Sequence, residues 1–374
     1  NPDRFIKRAS KIIRTGFGQP SVFNADLIVQ ELVRMGKSVV DARCGGSSGC
    51  VEVGAFGKEN YNLTGYFNLP KVLEITLHNG IDPRSGIRLG LETGDPRRFT
   101  SFDELFEAFE KQVNYFVEIK VRGNNVIERL YARYMPCPFL SLLIDDCIDR
   151  GKDYHDGGAR YNTTYIQGVG IGTMADALSA IKYHVYDQNT FSMVELMDVL
   201  AKDFSGQERT RQVLLNRTPK YGNDDEVADG MMVRVFEAYY NAVDGRRNTK
   251  GGEYHINLLP TTVHVYFGSV TGAARDGRRG GAEGGAVDEG RFIAGQPDVS
   301  VGNIHRLAQA AQRGVRFHVC QDVLGHLGDH FGEDEAGGHR VDADAKAAQL
   351  ARPHLGHADD AGLGGHIVGL AEVA

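Results

Sequence analysis

Apolar positions recur every three to four residues along several stretches of the chain, and each stretch predicts a helix with one face on a core. Leu27, Ile28, Leu32 and Val33 form one such face, with Asn24 placed to cap it. Val72, Ile75, Thr76 and Asn79 mark a second helix over 71–79, which Gly80 ends. Ser101-Phe102-Asp103-Glu104 has the spacing of a reciprocal N-terminal cap. Phe106, Phe109, Val113, Phe116 and Val117 follow on one face of a long helix, an aromatic stripe suited to core packing. Gly123 is expected to interrupt that helix, Pro136 and Pro138 to end the element, and residues 140–147 to begin another. Helical spacing returns at Ala177, Leu178, Ile181 and Val185, and again over 193–217 and 225–243.

Between these stretches the pattern changes. Residues 159–167 are rich in Tyr, Thr and Ile and predict a strand. Residues 254–267 alternate and branch like a second, buried strand, through Tyr254, Ile256 and Leu258 to Val263, Val265 and Phe267. Gly168-Val169-Gly170-Ile171-Gly172 joins the first strand to the next helix. Its spacing is not the Gly-x-Gly-x-x-Gly of a dinucleotide site, so it reads as a tight turn beside a cavity. Residues 81–100 hold two Asp-Pro steps and predict a surface excursion. Strands alternating with helices indicate an α/β fold.

Composition narrows the class. Charged residues make up 24% of the chain and the net charge is −7, which gives no electrostatic case for nucleic acid or an anionic membrane. No apolar run approaches the roughly 20 residues that span a bilayer. The five cysteines are irregularly spaced and form neither a disulfide framework nor a Cys-x-x-Cys metal pattern. A reducing cytoplasm suits such thiols. The first residue is Asn, so a removed targeting segment is compatible with the sequence.

The candidate chemistry lies at 45–52, Gly-Gly-Ser-Ser-Gly-Cys-Val-Glu. Small residues before Cys50 let the backbone turn tightly. Cys50-Val51-Glu52 reads as extended, and in an extended chain side chains two apart share a face. A thiol and a carboxylate side by side suit paired chemistry, one group attacking and the other moving protons. A buried, purely structural Cys is the ordinary alternative.

This stretch resembles the cysteine loop of the glycyl radical enzymes, the pyruvate formate-lyase-like family. Their Gly-Cys-Val-Glu appears as Gly49-Cys50-Val51-Glu52. The likeness continues through Gly65-Tyr66, Leu69-Pro70-Lys71, Thr93-Gly94-Asp95-Pro96-Arg97 and Gly157-Gly158-Ala159-Arg160-Tyr161-Asn162. It extends through Tyr165 to Gly172, Pro219 to Asp225, and Leu259-Pro260-Thr261-Thr262. Within the family the letters look most like the trans-4-hydroxy-L-proline dehydratase branch. Val51 follows Cys50 where pyruvate formate-lyase itself has a second cysteine, which argues for an eliminase.

The resemblance implies a domain over 1–272 that is the C-terminal part of a ten-stranded α/β barrel, with the cysteine loop inside. It implies a lyase of anaerobic metabolism in which Cys50 carries a thiyl radical and Glu52 is the acid/base. Tyr66 and Thr261 match positions that line the family's substrate pocket. No directly bound cofactor or metal is implied. The family's radical is installed on a glycine by an activating enzyme with S-adenosylmethionine and an iron–sulfur cluster, and the intact enzyme is a homodimer. Cys44, Cys137, Cys147 and Cys320 match no catalytic position and read as structural. A diol or glycerol dehydratase, an isethionate sulfite-lyase, a formate C-acetyltransferase-like protein and a non-catalytic fragment are the alternatives.

Residues 273–374 differ in character. All 15 tyrosines, every Thr and every Met precede them, while most of the 13 histidines lie within them. Arg275 stands where the family has Pro before Asp276-Gly277-Arg278, and the family's Arg-Val-x-Gly-Tyr motif does not occur. This Gly/Ala/His-rich tail reads as a frameshifted or wrongly joined translation of GC-rich DNA, and the chain alone is expected to be inactive. His326, His330 and His339 are loosely spaced like ligands but have no Cys partner or framing helix, so no metal site is expected.

Overall fold

A computed structural model describes residues 2–13, 23–48, 52–258, 263–273 and 277. In chain order the helices are α1 (Asp3–Ile13), α2 (Ala25–Arg34) and α3 (Val39–Arg43). Strands β1 (Gly45–Ser48), β2 (Glu52–Ala55) and β3 (Glu59–Asn68) follow. Next come α4 (Leu69–Leu77), α5 (Phe102–Tyr134), α6 (Pro138–Ser141), α7 (Cys147–Arg150) and β4 (Tyr161–Val169). The rest are α8 (Ile171–Ile181), α9 (Met193–Ala201), α10 (Glu208–Asn216), α11 (Glu226–Val243), β5 (Tyr254–Leu258) and α12 (Val263–Val270).

Strands β3, β4 and β5 form a parallel sheet in that order. Parallel neighbours need long crossovers; α4–α7 lie in the chain between β3 and β4, and α8–α11 between β4 and β5. Alternation along each strand sends Phe67, Ile166, Tyr254, Ile256 and Leu258 into one core with α4, α5, α8 and α11. The stripe Phe106, Phe109, Val113, Phe116 and Val117 is fully buried there. Each large side chain so buried contributes about 1.5–3 kcal/mol. Tyr239 of α11 stacks on Phe67 at 5.3 Å, and its hydroxyl donates to Ile166 O. A smaller core of Ile28, Leu32, Ala42 and Val53 joins α2 and α3 to β2.

Caps fall where the sequence places them. Asn24 Oδ1 accepts from the N–H groups of Asp26 and Leu27. The Ser101 hydroxyl accepts from Glu104 N–H, while the Glu104 carboxylate reaches back to Thr100 N–H at 2.7 Å. Strand β4 passes to α8 across Gly170 alone, the tight turn read at that point.

Four expectations change. Helix α5 runs unbroken through Gly123, because Val121, Asn124 and Glu128 are buried beside it and a lone helical glycine costs only about 1 kcal/mol. The helix expected over 140–147 is replaced by α6 and α7, since Asp146 between them takes the left-handed conformation (φ 75°) and pairs with Arg160. Residues 263–267 are helical, not a continuation of β5; Val263, Phe267 and Val270 also have helical spacing, and branched residues alone do not choose between the two periods. The excursion over 81–100 is partly interior: Asp82 and Pro96 are buried, and Asp82 pairs with Lys71 at 2.6 Å.

Candidate active site

The stretch around the thiol is built as an antiparallel hairpin. β1 pairs with β2 from Gly45 opposite Ala55 to Ser48 opposite Glu52. Cys50 lies in the three-residue link between Ser48 and Glu52, outside the described residues. The small residues Gly45 to Ser48, expected to let the backbone turn tightly, supply a strand. Gly54 shows why small size matters here, because a Cβ on it would sit 2.6 Å from the Tyr61 ring.

Buried polar contacts fix the hairpin to the sheet. Tyr165 Oη on β4 donates to Val53 O at 2.9 Å. Ala55 N–H donates to Glu59 Oε2 at 2.7 Å. Glu59 also accepts from the Thr163 hydroxyl and pairs with Lys37 at 3.0 Å, with both side chains buried. A buried ion pair is tolerated when hydrogen bonds satisfy the remaining lone pairs, as they do here.

Glu52 opens β2 and is 3% exposed. Gln167 on β4, 1% exposed, donates Nε2–H to Glu52 Oε1 at 2.8 Å. Tyr66 on β3 stands directly opposite Gln167. That register depends on an irregularity: Leu63 faces Tyr165, but Tyr66 faces Gln167, so β3 takes one extra residue over the span. One inserted residue reverses which side chains meet a given face. Gly65 supplies the insertion at φ 112°, a left-handed value that few L-residues adopt. The Tyr66 side chain then packs beside Val169 and Phe267.

Of the four residues singled out in the sequence, Glu52 and Tyr66 are therefore both brought to one glutamine, Glu52 through a hydrogen bond to its amide and Tyr66 as its neighbour across the sheet. Cys50 and Thr261 lie outside the described residues, Cys50 two positions before Glu52 and Thr261 three positions after the end of β5. Gln167 is the functional candidate that sequence reasoning missed. Its signal was a polar amide on the same alternating face as Tyr165, inside a strand otherwise built to be buried.

Two other thiols, Cys137 and Cys147, are poorly suited to chemistry. Cys137 donates Sγ–H to Asp153 at 3.5 Å, and burial, helped by that carboxylate, pushes its thiol up from the usual range. Burial also pushes up the thiol of Cys147. Cys44 is exposed, and Cys320 lies outside the described residues. Among the described residues no three His, Cys, Asp or Glu side chains group as a metal requires. His326, His330 and His339 fall outside them. No described helix is long and apolar enough to cross a membrane.

A family model described as pyruvate formate lyase-like matches residues 1–268. Trans-4-hydroxy-L-proline dehydratase of Clostridioides difficile is 57% identical over 277 residues, covering 74% of this chain and 35% of that protein. (2S)-3-sulfopropanediol dehydratase of Klebsiella oxytoca is 32% identical, covering 71% of this chain and 33% of that protein. The solved structure of the C. difficile hydroxyproline dehydratase with trans-4-hydroxy-L-proline bound matches at TM-score 0.73 and 47% identity, covering 85% of this chain and 45% of that one. The glycerol-bound B12-independent glycerol dehydratase of Clostridium butyricum matches at TM-score 0.72 and 33% identity, with the same coverage of 85% and 45%. The α/β arrangement described above is the one these structures share. The chain spans about a third of the length of these curated relatives. It belongs to the pyruvate formate lyase-like family.

Proposed function

We propose that this chain is part of a glycyl radical dehydratase that eliminates water from trans-4-hydroxy-L-proline to give a pyrroline carboxylate. The observation that carries the reading is the seating of Glu52. A buried carboxylate held by Gln167, itself the neighbour of Tyr66, lies two residues after Cys50 in a chain 57% identical to a hydroxyproline dehydratase over 277 residues. Residues 1–272 are proposed as the domain that carries this site, and 273–374 as the aberrant tail.

A glycyl radical installed by an S-adenosylmethionine and iron–sulfur activating enzyme would accept the hydrogen atom of the Cys50 thiol, leaving a thiyl on the sulfur. Cys50 then takes one hydrogen atom from the ring carbon beside nitrogen, because an S–H bond and such a C–H bond are similar in strength. Glu52 moves the proton that lets the neighbouring hydroxyl leave as water. Cys50 returns its hydrogen atom to the product radical, so the thiyl is regenerated. Tyr66 and Thr261 hold the substrate, and the burial of Glu52 and Gln167 keeps solvent from the acid/base.

The test is made on the full-length gene product, activated anaerobically by a radical activase. Release of pyrroline carboxylate from hydroxyproline is expected, abolished in Cys50→Ser and reduced at least 100-fold in Glu52→Gln. Turnover of only a diol or a sulfonate at comparable radical content overturns the substrate assignment.

A further inference from the structure

Strand β5 turns two polar side chains away from the helices. Tyr254, Ile256 and Leu258 enter the helical core, so alternation sends His255 and Asn257 to the face that carries Tyr165 and Gln167. His255 is accounted for: its ring lies 6.2 Å from that of Tyr165, and its Nδ1 is 2.6 Å from Asp244 Oδ1. Asn257 is not. It is 1% exposed, and neither its Oδ1 nor its Nδ2 has a hydrogen-bond partner. Among the described residues it is the one buried amide with both ends unmet.

Its place in the sheet gives that deficit a direction. Tyr66 stands opposite Gln167, and Gln167 stands opposite Asn257. Three polar side chains therefore form one row across three adjacent strands, neighbours about 5 Å apart. The carboxylate of Glu52 is bound to the middle one. A buried donor and acceptor left unmet are costly, and such groups in a folded protein call for an explanation. A ligand that brings an acceptor and a donor on neighbouring atoms meets both at once.

We propose that Asn257 is a substrate-binding residue of the same site. Its Nδ2–H donates to a carboxylate oxygen of a cyclic amino acid, and its Oδ1 accepts from the adjacent ring ammonium. This would orient the ring beside Gln167 and the Glu52 carboxylate that it holds. The inference rests on the dehydratase reading above and adds a contact to the substrate's carboxylate and ring nitrogen.

The test uses the full-length, activated protein with Asn257→Leu, which keeps the branched shape, adds some bulk and removes both polar atoms, and Asn257→Asp, which keeps an acceptor and sets a charge against the substrate carboxylate. With hydroxyproline, both variants are expected to lose at least tenfold in kcat/KM, chiefly through KM, at unchanged glycyl radical content. Without substrate, Asn257→Leu is expected to melt at the parent's Tm or above it, since no contact within the described residues is lost. A kcat/KM within threefold of the parent overturns the inference. So does a Tm several degrees below it, which would show that the amide holds the fold. The dehydratase reading fails separately, if the parent itself ignores hydroxyproline; the Leu variant is then compared with the parent on the substrate that is consumed. The Tm comparison needs no turnover and decides a parent inactive on every substrate tried.

Discussion

Gln167→Leu separates the support of Glu52 from the rest of the site. The substitution keeps most of the side-chain volume inside β4 and removes the Nε2–H that Glu52 Oε1 accepts at 2.8 Å. Both partners are almost wholly buried, so water cannot replace the lost donor. A hydrogen bond to a charged group is worth roughly 1.5–3 kcal/mol net. Leucine also relieves the burial of an amide, which places the stability loss near the lower figure, about 1.5 kcal/mol. The chemical step suffers more, because proton transfer needs the carboxylate held in place. At about 1.4 kcal/mol per factor of ten, kcat should fall roughly 10- to 100-fold. KM should stay within threefold, because Gln167 supports the acid/base and not the ground-state substrate. The assay is pyrroline carboxylate release by the full-length enzyme, with parent and variant matched for glycyl radical content by electron paramagnetic resonance. Gln167→Glu, nearly isosteric but setting two carboxylates together, should be more damaging than leucine. A leucine variant within twofold of the parent in kcat would refute the reasoning. A raised KM with unchanged kcat would instead make Gln167 a substrate ligand.

Three further outcomes follow from other parts of the molecule. Gly65→Ala places a side chain at φ 112° and within 2.8 Å of Lys120 Nζ, so a loss of about 1–3 kcal/mol is expected in urea unfolding, together with reduced turnover as Tyr66 leaves its register; an unchanged midpoint would remove the role given to the inserted residue. Burial pushes Lys120 down to about 8 from 10.5, so the unfolded chain binds the extra proton between these values, and stability should rise as pH increases from 8 towards 10.5. Lys120→Met should therefore stabilise the protein at pH 7, by at most about 3 kcal/mol, with the gain shrinking above pH 8; a gain independent of pH would argue against burial as the cause. For the tail, sequencing across the codons for 270–285 is expected to reveal a shifted or joined frame, and tail peptides in a mass spectrum with an uninterrupted frame would refute it.

The parts of this fold that could be read from sequence are those with one dominant period or one specific cap. The stripe Phe106 to Val117 has no competing pattern, and Asn24 and Ser101 satisfy donors that every helix start leaves open. Residues 263–270 failed because Val and Phe suit a strand and a helix alike, and only packing chooses. Gly45 to Ser48 failed for a related reason: small residues signal freedom, yet pairing with β2 gives them a partner that no local pattern reveals.

The site itself divides along the same line. Glu52 was singled out by its place two residues after Cys50 in a stretch that reads as extended, and Tyr66 by a resemblance to a position that lines the family's substrate pocket. Gln167 and Asn257 were not, because an amide inside a strand carries no chemical label. What places them is register: the extra residue at Gly65 brings Tyr66 opposite Gln167, and β4 and β5 in step bring Asn257 to the other side. A row of three polar side chains across three strands thus depends on one inserted glycine in the first of them. Were Leu63 to Tyr66 paired without that irregularity, Gln167 would face Gly65, and Tyr66 would face Gly168 and turn to the helical side. The positioning of the site is for this reason a property of sheet pairing between segments far apart in sequence, which no local pattern of letters announces.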